Sequence, residues 1–318
     1  MSLLFPAPHR VGLLRAALIV LVAVALAAVL ALLVAVRPQA GAEGGKHAAV
    51  YYQTQYDGDR YLSPLGLTEH GAPVTEVIVG AVHLNSPTEV HLNDEPPDDP
   101  KFDPMWADLA ALQGEGVQVL AMVGGAAHGS FQRLDTEFET YYPLLRDLLR
   151  DRGLDGVDLN VEEEMSQQGI QRVIAALRAD FGPEFLITMG PVASALSGGG
   201  NLSGFDYEQL YREAGDDIAW FNAQFYNGWG DASSTADFDA IVSRGVIPAE
   251  RISVTVLTNQ ANGASGYVDV AGLRSTFAAL RAAHPEFGGV TGWEYFNARP
   301  AAGEDPWQWV VDVAGSWI

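Results

Sequence analysis

Short apolar runs recur along most of the chain and alternate with segments whose apolar residues repeat at helical spacing. Eight of these runs are almost continuously hydrophobic, which is typical of parallel strands covered on both faces. The runs are AAVYYQT (48–54), VTEVIVGAVHL (74–84), GVQVLAMVGG (116–125), GVDLNVE (156–162), FLITMGP (185–191), IAWFNAQFY (218–226), ISVTVLT (252–258) and GVTGWEYF (289–296). We therefore expect eight strands.

Helical periodicity appears between several of these runs. Segment 141–149, YYPLLRDLL, carries apolar pairs at this spacing, and Gly153 is a candidate stop signal. Segment 170–177 follows the i, i+3, i+4, i+7 rule through Ile170, Val173, Ile174 and Leu177. The same pattern returns weakly in 272–280. We expect a helix at each of these three places.

Eight strands that alternate with helices over about 270 residues predict an α/β fold, a (β/α)₈ TIM barrel. The alternative is a doubly wound open sheet, which calls for a glycine-rich phosphate turn after the first strand. The segment YYQTQYDGD, which follows that strand, has no such turn. The barrel is the better prediction, and it occupies residues 47–318.

The N-terminal part of the chain differs from the rest. Residues 16–36 form an unbroken apolar run of 21, and a bilayer-spanning helix needs about 20 residues. Basic residues flank the run, three before it and one after: His9, Arg10, Arg15 and Arg37. We expect residues 1–15 to be cytoplasmic and 37–46 to be a linker. The alternative is a signal peptide cleaved near Ala40-Gly41-Ala42. Both interpretations place the barrel outside the cytoplasm. An uncleaved helix would anchor it to the membrane, and a cleaved signal peptide would leave it secreted.

The composition of the chain excludes several classes of function. Among 318 residues, 48% are hydrophobic, which is enough for a sizeable core. The net charge of −22 argues against a nucleic-acid partner, because phosphate binding needs basic patches. There are no cysteines, which excludes disulfides and thiol catalysis, and the seven histidines lack metal-site spacing. We expect a monomer without cofactor or metal.

Carboxylates alternate with apolar residues in the segment LDGVDLNVEEE, residues 154–164. Because side chains on a strand alternate between faces, Asp158, Asn160 and Glu162 share one face. Glu162 falls at the carboxyl end of the strand, where barrel active sites lie. Stacked carboxylates raise one another's pKa, so the uppermost can stay protonated as a general acid. The segment therefore predicts an acid catalyst at Glu162.

The same residues carry a resemblance. DGVDLNVE resembles the DxxDxDxE signature of glycoside hydrolase family 18, which comprises chitinases and endo-β-N-acetylglucosaminidases. Four further segments match that family in order. They are VYYQTQY on the first strand, AMVGG on the third, NAQFYNGWG on the sixth and GGVTGWEYFNA on the eighth. The matches span residues 50–298.

The resemblance implies a retaining, substrate-assisted hydrolysis, in which the 2-acetamido carbonyl of the substrate attacks the anomeric carbon. Glu162 would be the acid, Asp158 its buried partner and Asp155 a structural residue. Tyr226 would donate a hydrogen bond to the acetamido oxygen. Further substrate-binding residues would be Tyr51, Gln53, Gly124, Gly125, Gln224 and Trp293.

Asn160 departs from the family pattern, which usually has Asp at this place. In that pattern the Asp holds the acetamido N–H and compensates the developing positive charge. An amide keeps the shape but not the charge, and removing one such stabilising group commonly costs about 10²–10³ in rate. We therefore expect a slow hydrolase.

Three functions remain open. The first is a chitinase-like hydrolase of β-1,4-linked N-acetylglucosamine (GlcNAc) oligosaccharides or polymers. The second is an endo-β-N-acetylglucosaminidase that cleaves N-glycans. The third is a non-hydrolytic sugar-binding lectin on the same barrel, which Asn160 favours but Glu162, Tyr226 and Trp293 disfavour.

Overall fold

The computed structural model describes residues 46–298, 303 and 305–316. All eight predicted strands are present in it as a closed parallel barrel. In chain order the barrel strands are β1 (His47–Tyr52), β4 (Glu76–Ser86), β6 (Gln118–Gly124), β7 (Gly156–Asn160), β8 (Leu186–Met189), β9 (Trp220–Gln224), β10 (Ile252–Leu257) and β11 (Gly289–Trp293). The barrel closes where Val50 of β1 pairs with Gly292 of β11 on one side and Val77 of β4 on the other.

Three short strands lie outside the barrel. β2 (Tyr56–Asp57) and β3 (Arg60–Tyr61) form a small antiparallel pair of their own. β5 (Glu89–Leu92) pairs antiparallel with the end of β4, which runs past the barrel to make a hairpin. The sequence analysis did not predict this hairpin, although it forms one wall of the site region.

Helices surround the barrel. They span Gly66–Glu69, Asp103–Gly114, Ser130–Thr136, Phe138–Asp151, Gln167–Phe181, Ala193–Leu196, Tyr207–Ala214, Ala236–Val242, Val270–Ala283 and Trp307–Ala314. Single 3₁₀ turns lie at Pro100–Phe102, Ala249–Arg251 and Gln260–Asn262. The three predicted helices are all present, and each extends beyond the predicted segment at both ends.

Helix Gln167–Phe181 shows how the sequence sets these elements. The Ser166 side chain accepts a hydrogen bond from the Gly169 N–H at 3.0 Å and so caps the first turn. The predicted stripe of Ile170, Val173, Ile174 and Leu177 is buried. Gly182 follows at φ +82°, a conformation that glycine adopts without steric cost, and the helix ends there.

The apolar core has two parts. The larger lies between the barrel and its helices and includes the predicted core residue Trp309, with Trp307 packed against it. The smaller lies inside the barrel and contains Tyr51, Met122 and Trp220. The rest of the barrel interior is polar and fully buried, with Asp158, Thr188, Asn222, Ser253, Thr255 and Thr291. The barrel interior therefore contains a small apolar cluster and a network of hydrogen-bonded polar side chains.

The predicted membrane helix at 16–36 lies outside the described residues. Within the part of the chain that is described, no helix combines the length and the apolar character required to cross a membrane.

Candidate active site

Strand β7 carries the predicted polar face from the barrel interior to its mouth. Asp158 is completely buried, and Asn160, the last residue of the strand, is 5% exposed. Glu162 lies two residues beyond the strand and is partly exposed. The polar face of β7 therefore runs from a fully buried carboxylate, Asp158, to a partly exposed one, Glu162.

Asp158 accepts three hydrogen bonds from three different strands. The donors are the hydroxyls of Tyr51 (2.9 Å) and Thr188 (2.6 Å) and the side-chain amide of Asn222 (2.9 Å). Burial raises the pKa of Asp158 above its ordinary value, and the three hydrogen bonds oppose that rise. Burial, not a neighbouring carboxylate, is therefore the main cause of the raised pKa of Asp158.

Glu162 belongs to a second group of side chains, at the mouth of the barrel. Its Oε1 accepts hydrogen bonds from Asn160 Nδ2 and from Gln224 Nε2, both at 3.1 Å. The Gln224 amide also donates to Asn160 Oδ1 at 3.2 Å and to the Gly190 carbonyl at 3.0 Å. Two amides thus hold one oxygen of the carboxyl group, and none of the described residues donates to the other. Oε2 is therefore the oxygen that can carry a transferable proton.

A cavity of about 350 Å³ opens above this group. Eight of the residues predicted to form the site line it: Gln53, Gly124, Gly125, Asn160, Glu162, Gln224, Tyr226 and Trp293. Tyr51 does not line the cavity, contrary to the prediction. It is 3% exposed and lies below, with its ring edge against Trp293 at 5.3 Å between centroids.

The Tyr226 phenol lines this cavity and can donate a hydrogen bond to a ligand. Burial, followed by the negative charges of Glu162 and Asp158, raises the pKa of its phenol well above the ordinary value of 10.0. The hydroxyl therefore keeps its proton at neutral pH. Together with the indole of Trp293, it gives the cavity one polar and one apolar aromatic group for a ligand.

Comparison with solved structures decides the family. The barrel is similar to a fungal endo-β-N-acetylglucosaminidase from glycosyl hydrolase family 18, with a TM-score of 0.80 and 46% identity over 84% of this chain and 96% of that one. The chitinase ChiC from Aspergillus fumigatus gives a TM-score of 0.79 and 46% identity over 86% and 99% of the two chains. The chain belongs to glycoside hydrolase family 18.

Curated relatives agree at lower identity. Chitinase 2 of Rhizopus oligosporus is 27% identical over 211 residues, and chitinase 1 of Rhizopus niveus is 26% identical over 212. Each alignment covers 60% of this chain but only 36% and 40% of the respective relative. The chain thus spans less than half the length of these relatives. No family model matches the sequence.

The first acid of the family 18 motif is structural in this barrel. Asp155 Oδ2 accepts hydrogen bonds from the Val119 N–H at 2.9 Å and from Gln113 Nε2 at 2.8 Å. It therefore ties the start of β7 to the start of β6, at the end of the barrel opposite the cavity. We predicted a structural residue at this position, and the two hydrogen bonds go to a backbone N–H and a helix side chain outside the cavity lining.

The predicted glycine pair lets the third barrel strand approach the motif closely. Gly124 and Gly125 have φ angles of +88° and +85°, and the Gly125 N–H donates to the Asn160 carbonyl at 2.9 Å. A Cβ on Gly124 would lie 2.4 Å from the Phe131 ring. Glycine is required there both by the backbone angle and by space.

Glu163 is a buried carboxylate beside the site that sequence reasoning missed. It is 8% exposed. Its carboxylate accepts the N–H of Gly129 at 2.7 Å and that of Phe131 at 2.8 Å, where helix Ser130–Thr136 begins. It therefore fixes the loop after Gly125 against the strand end that carries Glu162. Its partners are backbone groups, which have no sequence signature.

Glu294 is a second buried carboxylate that sequence reasoning missed. It follows Trp293 and accepts hydrogen bonds from the N–H groups of Gln53 (3.1 Å) and Thr54 (2.8 Å) and from the Thr54 hydroxyl (2.6 Å). Burial raises its pKa, and these hydrogen bonds oppose the rise. Glu294 thereby holds Gln53 at the edge of the cavity. Seven residues that line the cavity were also not predicted to bind substrate: Ala81, His83, Met122, Ala126, Ala127, Asn227 and Asn262.

Proposed function

We propose that this protein hydrolyses the β-1,4 linkage between GlcNAc residues with retention of configuration, and that Glu162 is the proton donor. The observation that carries the proposal is the geometry of the Glu162 carboxyl group. Two amides hold one of its oxygens, while the other receives no hydrogen bond from the described residues. The group opens on a cavity that also holds Tyr226 and Trp293, as a sugar site requires.

In the first step Glu162 gives its proton to the glycosidic oxygen as the bond from that oxygen to the anomeric carbon breaks. The carbonyl oxygen of the substrate's own 2-acetamido group attacks the same carbon and forms an oxazolinium ion. The Tyr226 hydroxyl donates a hydrogen bond to that carbonyl oxygen. Water then attacks the anomeric carbon, and the ionised Glu162 takes a proton from it, which restores the acid.

Asn160 weakens this scheme without removing it. Its Oδ1 accepts from Gln224 and has a second lone pair for an acetamido N–H, while its Nδ2 orients Glu162. An amide supplies no negative charge to the oxazolinium ion. The proposal therefore predicts slow turnover.

The second candidate is an endo-β-N-acetylglucosaminidase acting on N-glycans. It is supported by the fungal endo-β-N-acetylglucosaminidase, which is as similar in sequence, at 46% identity, as the chitinase ChiC. The GlcNAc–GlcNAc linkage of an N-glycan core is the same linkage as in chitin. The chemistry above therefore serves both candidates, and groups outside the catalytic cavity select between them.

Product analysis tests the proposal. The full-length chain is incubated with chitooligosaccharides and with a high-mannose glycopeptide, and the products are identified by mass spectrometry. The Glu162→Gln variant is the matched control. Shortened chitooligosaccharides support the first candidate, and a peptide that retains one GlcNAc supports the second. Tight binding of either ligand without any product would instead support the lectin.

We also propose that residues 16–36 hold the barrel outside the cytoplasm as a membrane anchor. The support is the length of the apolar run and its basic flanks. Membrane fractionation followed by N-terminal sequencing tests this proposal. Recovery of a mature protein that begins near Glu43 would instead support the cleaved signal peptide.

A further inference from the structure

A second cavity opens beside the catalytic one. Its volume is about 810 Å³, compared with about 350 Å³ for the catalytic cavity, and the two share Gln53, His83 and Ala127. The proposed bond cleavage uses only the smaller cavity. The larger one therefore adjoins the catalytic cavity and has no part in the proposed mechanism.

The hairpin of β4 and β5 forms a wall of this second cavity, which we call the hairpin cavity. His83 and His91 face each other across the two strands, and Asn85 is hydrogen-bonded to His91 Nδ1 at 2.8 Å. Asn93 fixes the base of the hairpin to the barrel. Its side chain accepts the Ala81 N–H at 3.0 Å and donates to the Gln53 carbonyl at 2.9 Å.

Hydrogen-bonding groups dominate the lining of the hairpin cavity. Amides and imidazoles come from Gln53, Gln55, Asn85, Asn93, His83, His91 and His128. Burial lowers the pKa of His83 below its ordinary 6.5, while the charge of Asp94 acts against that shift. A neutral imidazole, like an amide, offers both a donor and an acceptor, which is what a sugar hydroxyl needs.

Free aromatic faces are scarce in the same lining, where Tyr56 and Phe102 are the two aromatic residues. Phe102 is 1% exposed, and Lys101 Nζ lies 4.8 Å from the centre of its ring. The Tyr56 ring packs against Tyr61 at 5.5 Å between centroids, and its hydroxyl donates to the Lys101 carbonyl. These two rings therefore offer little free aromatic surface on which a linear GlcNAc chain could stack its sugar faces.

We propose that the hairpin cavity binds the hexose arms of a branched glycan, recognised through their hydroxyl groups, while the catalytic cavity holds the GlcNAc at the cleaved bond. Its volume and its amide and imidazole lining suit a branched ligand better than a linear chitin chain. This inference rests on the proposed function and selects its second candidate, an N-glycan substrate, over chitin.

Binding to the full-length Glu162→Gln variant tests the proposal without interference from turnover. The two ligands are a free high-mannose glycan with its GlcNAc–GlcNAc core and linear chitotetraose, which share the same linkage. Isothermal titration calorimetry gives both affinities. We expect the branched glycan to bind at least about tenfold more tightly, the ratio that one to two additional net hydrogen bonds provide.

Two further variants in the Glu162→Gln background locate the binding. One replaces both Asn85 and His91 by Ala on the hairpin, and the other is His128→Ala in the loop that follows Gly125. Each should weaken glycan binding about tenfold and leave chitotetraose within about twofold. Agreement between the two positions excludes a locally collapsed hairpin as the cause. The matched control is Glu89→Gln, on the hairpin but outside this cavity, which should change neither affinity.

Equal weakening of both ligands, unchanged glycan binding in both variants, or no binding of either ligand would overturn the assignment. Failure of the proposed function has a different signature. If the glycan binds as expected but the native protein cleaves neither ligand, the hydrolase proposal fails and the assignment of the hairpin cavity stands.

Discussion

Two carboxylates on the same face of one strand segment have opposite surroundings. Asp158 is closed off inside the barrel, with donors from β1, β8 and β9. Glu162, four positions later, is held by two amides at the barrel mouth and opens on a cavity. No hydrogen bond joins the Asp158 network to the group around Glu162 among the described residues.

The difference indicates that the polar face of β7 serves two purposes. At depth, a carboxylate that satisfies donors from three strands holds the barrel together. At the mouth, a carboxyl group with one oxygen held and the other available is suited to proton transfer. Substitutions at the two levels should therefore separate stability from rate.

The largest expected effect is on rate, from Glu162→Gln. The change removes the transferable proton but keeps the size of the side chain, so turnover should fall by about 10²–10⁴. The free energy of unfolding should stay within about 0.5 kcal/mol of the native value, because the site is partly exposed. Product formation and urea unfolding measure the two. Retention of half the native turnover would exclude Glu162 as the acid.

Asp158→Ala should have its main effect on the stability of the fold. It leaves the Tyr51 and Thr188 hydroxyls buried without an acceptor, at a cost of about 1–3 kcal/mol each, while Asn222 keeps only its longer hydrogen bond to Thr188, at 3.5 Å. We expect at least about 2 kcal/mol of destabilisation in urea unfolding. Asp158→Asn is the matched control, since it keeps one acceptor oxygen and should lose less. An unchanged unfolding midpoint for Asp158→Ala would contradict the interpretation.

The pH dependence of stability follows from the direction of the Asp158 pKa. Because this pKa is raised on folding, the folded protein holds the proton more tightly than the unfolded chain. The contribution of this group is fully present below its ordinary pKa of 3.8 and is lost as pH rises through the folded value. The stability of the native protein relative to Asp158→Asn should therefore decrease from about pH 4 upward. A stability difference between the native protein and Asp158→Asn that increases with pH would contradict a raised pKa of Asp158.

Asn160→Asp should raise turnover by about tenfold, because it supplies the negative charge that stabilises the oxazolinium ion. It also replaces the amide that donates to Glu162 by a second carboxyl group, so the two groups should titrate together and the pH optimum should move. Initial rates across pH measure both effects. A lower rate at every pH would show that the site depends on the amide donor.

The smallest expected effect comes from Glu163→Gln. It removes the charge from the side chain that accepts the Gly129 and Phe131 N–H groups, so the loop lining the cavity should be held less firmly. We expect KM to rise about fivefold, equivalent to about 1 kcal/mol, with little change in kcat. The exposed neighbour gives the control Glu164→Gln, which should match the native protein. Equal effects of the two changes would remove Glu163 as a positioning residue.

Much of this architecture could be predicted because it depends on local pattern. The apolar runs give the barrel strands, and the alternation around Asn160 places Glu162 at the mouth. The alternation shows which residues share a face of a strand, but not how far each lies from the cavity. The prediction for Tyr51 failed for this reason, because its hydroxyl donates to the buried Asp158 and not to a group in the cavity. Glu163 and Glu294 were missed because backbone N–H groups of distant loops are their partners, and only the folded chain brings them together.

The central claim is that the substrate's acetamido group and Glu162 carry out a retaining hydrolysis in this cavity. Time-resolved proton NMR of the first product, on whichever GlcNAc substrate is cleaved fastest, tests it most directly. Attack by the acetamido oxygen followed by water inverts the anomeric carbon twice, so the β-anomer should form first and equilibrate later. A first-formed α-anomer would contradict the account.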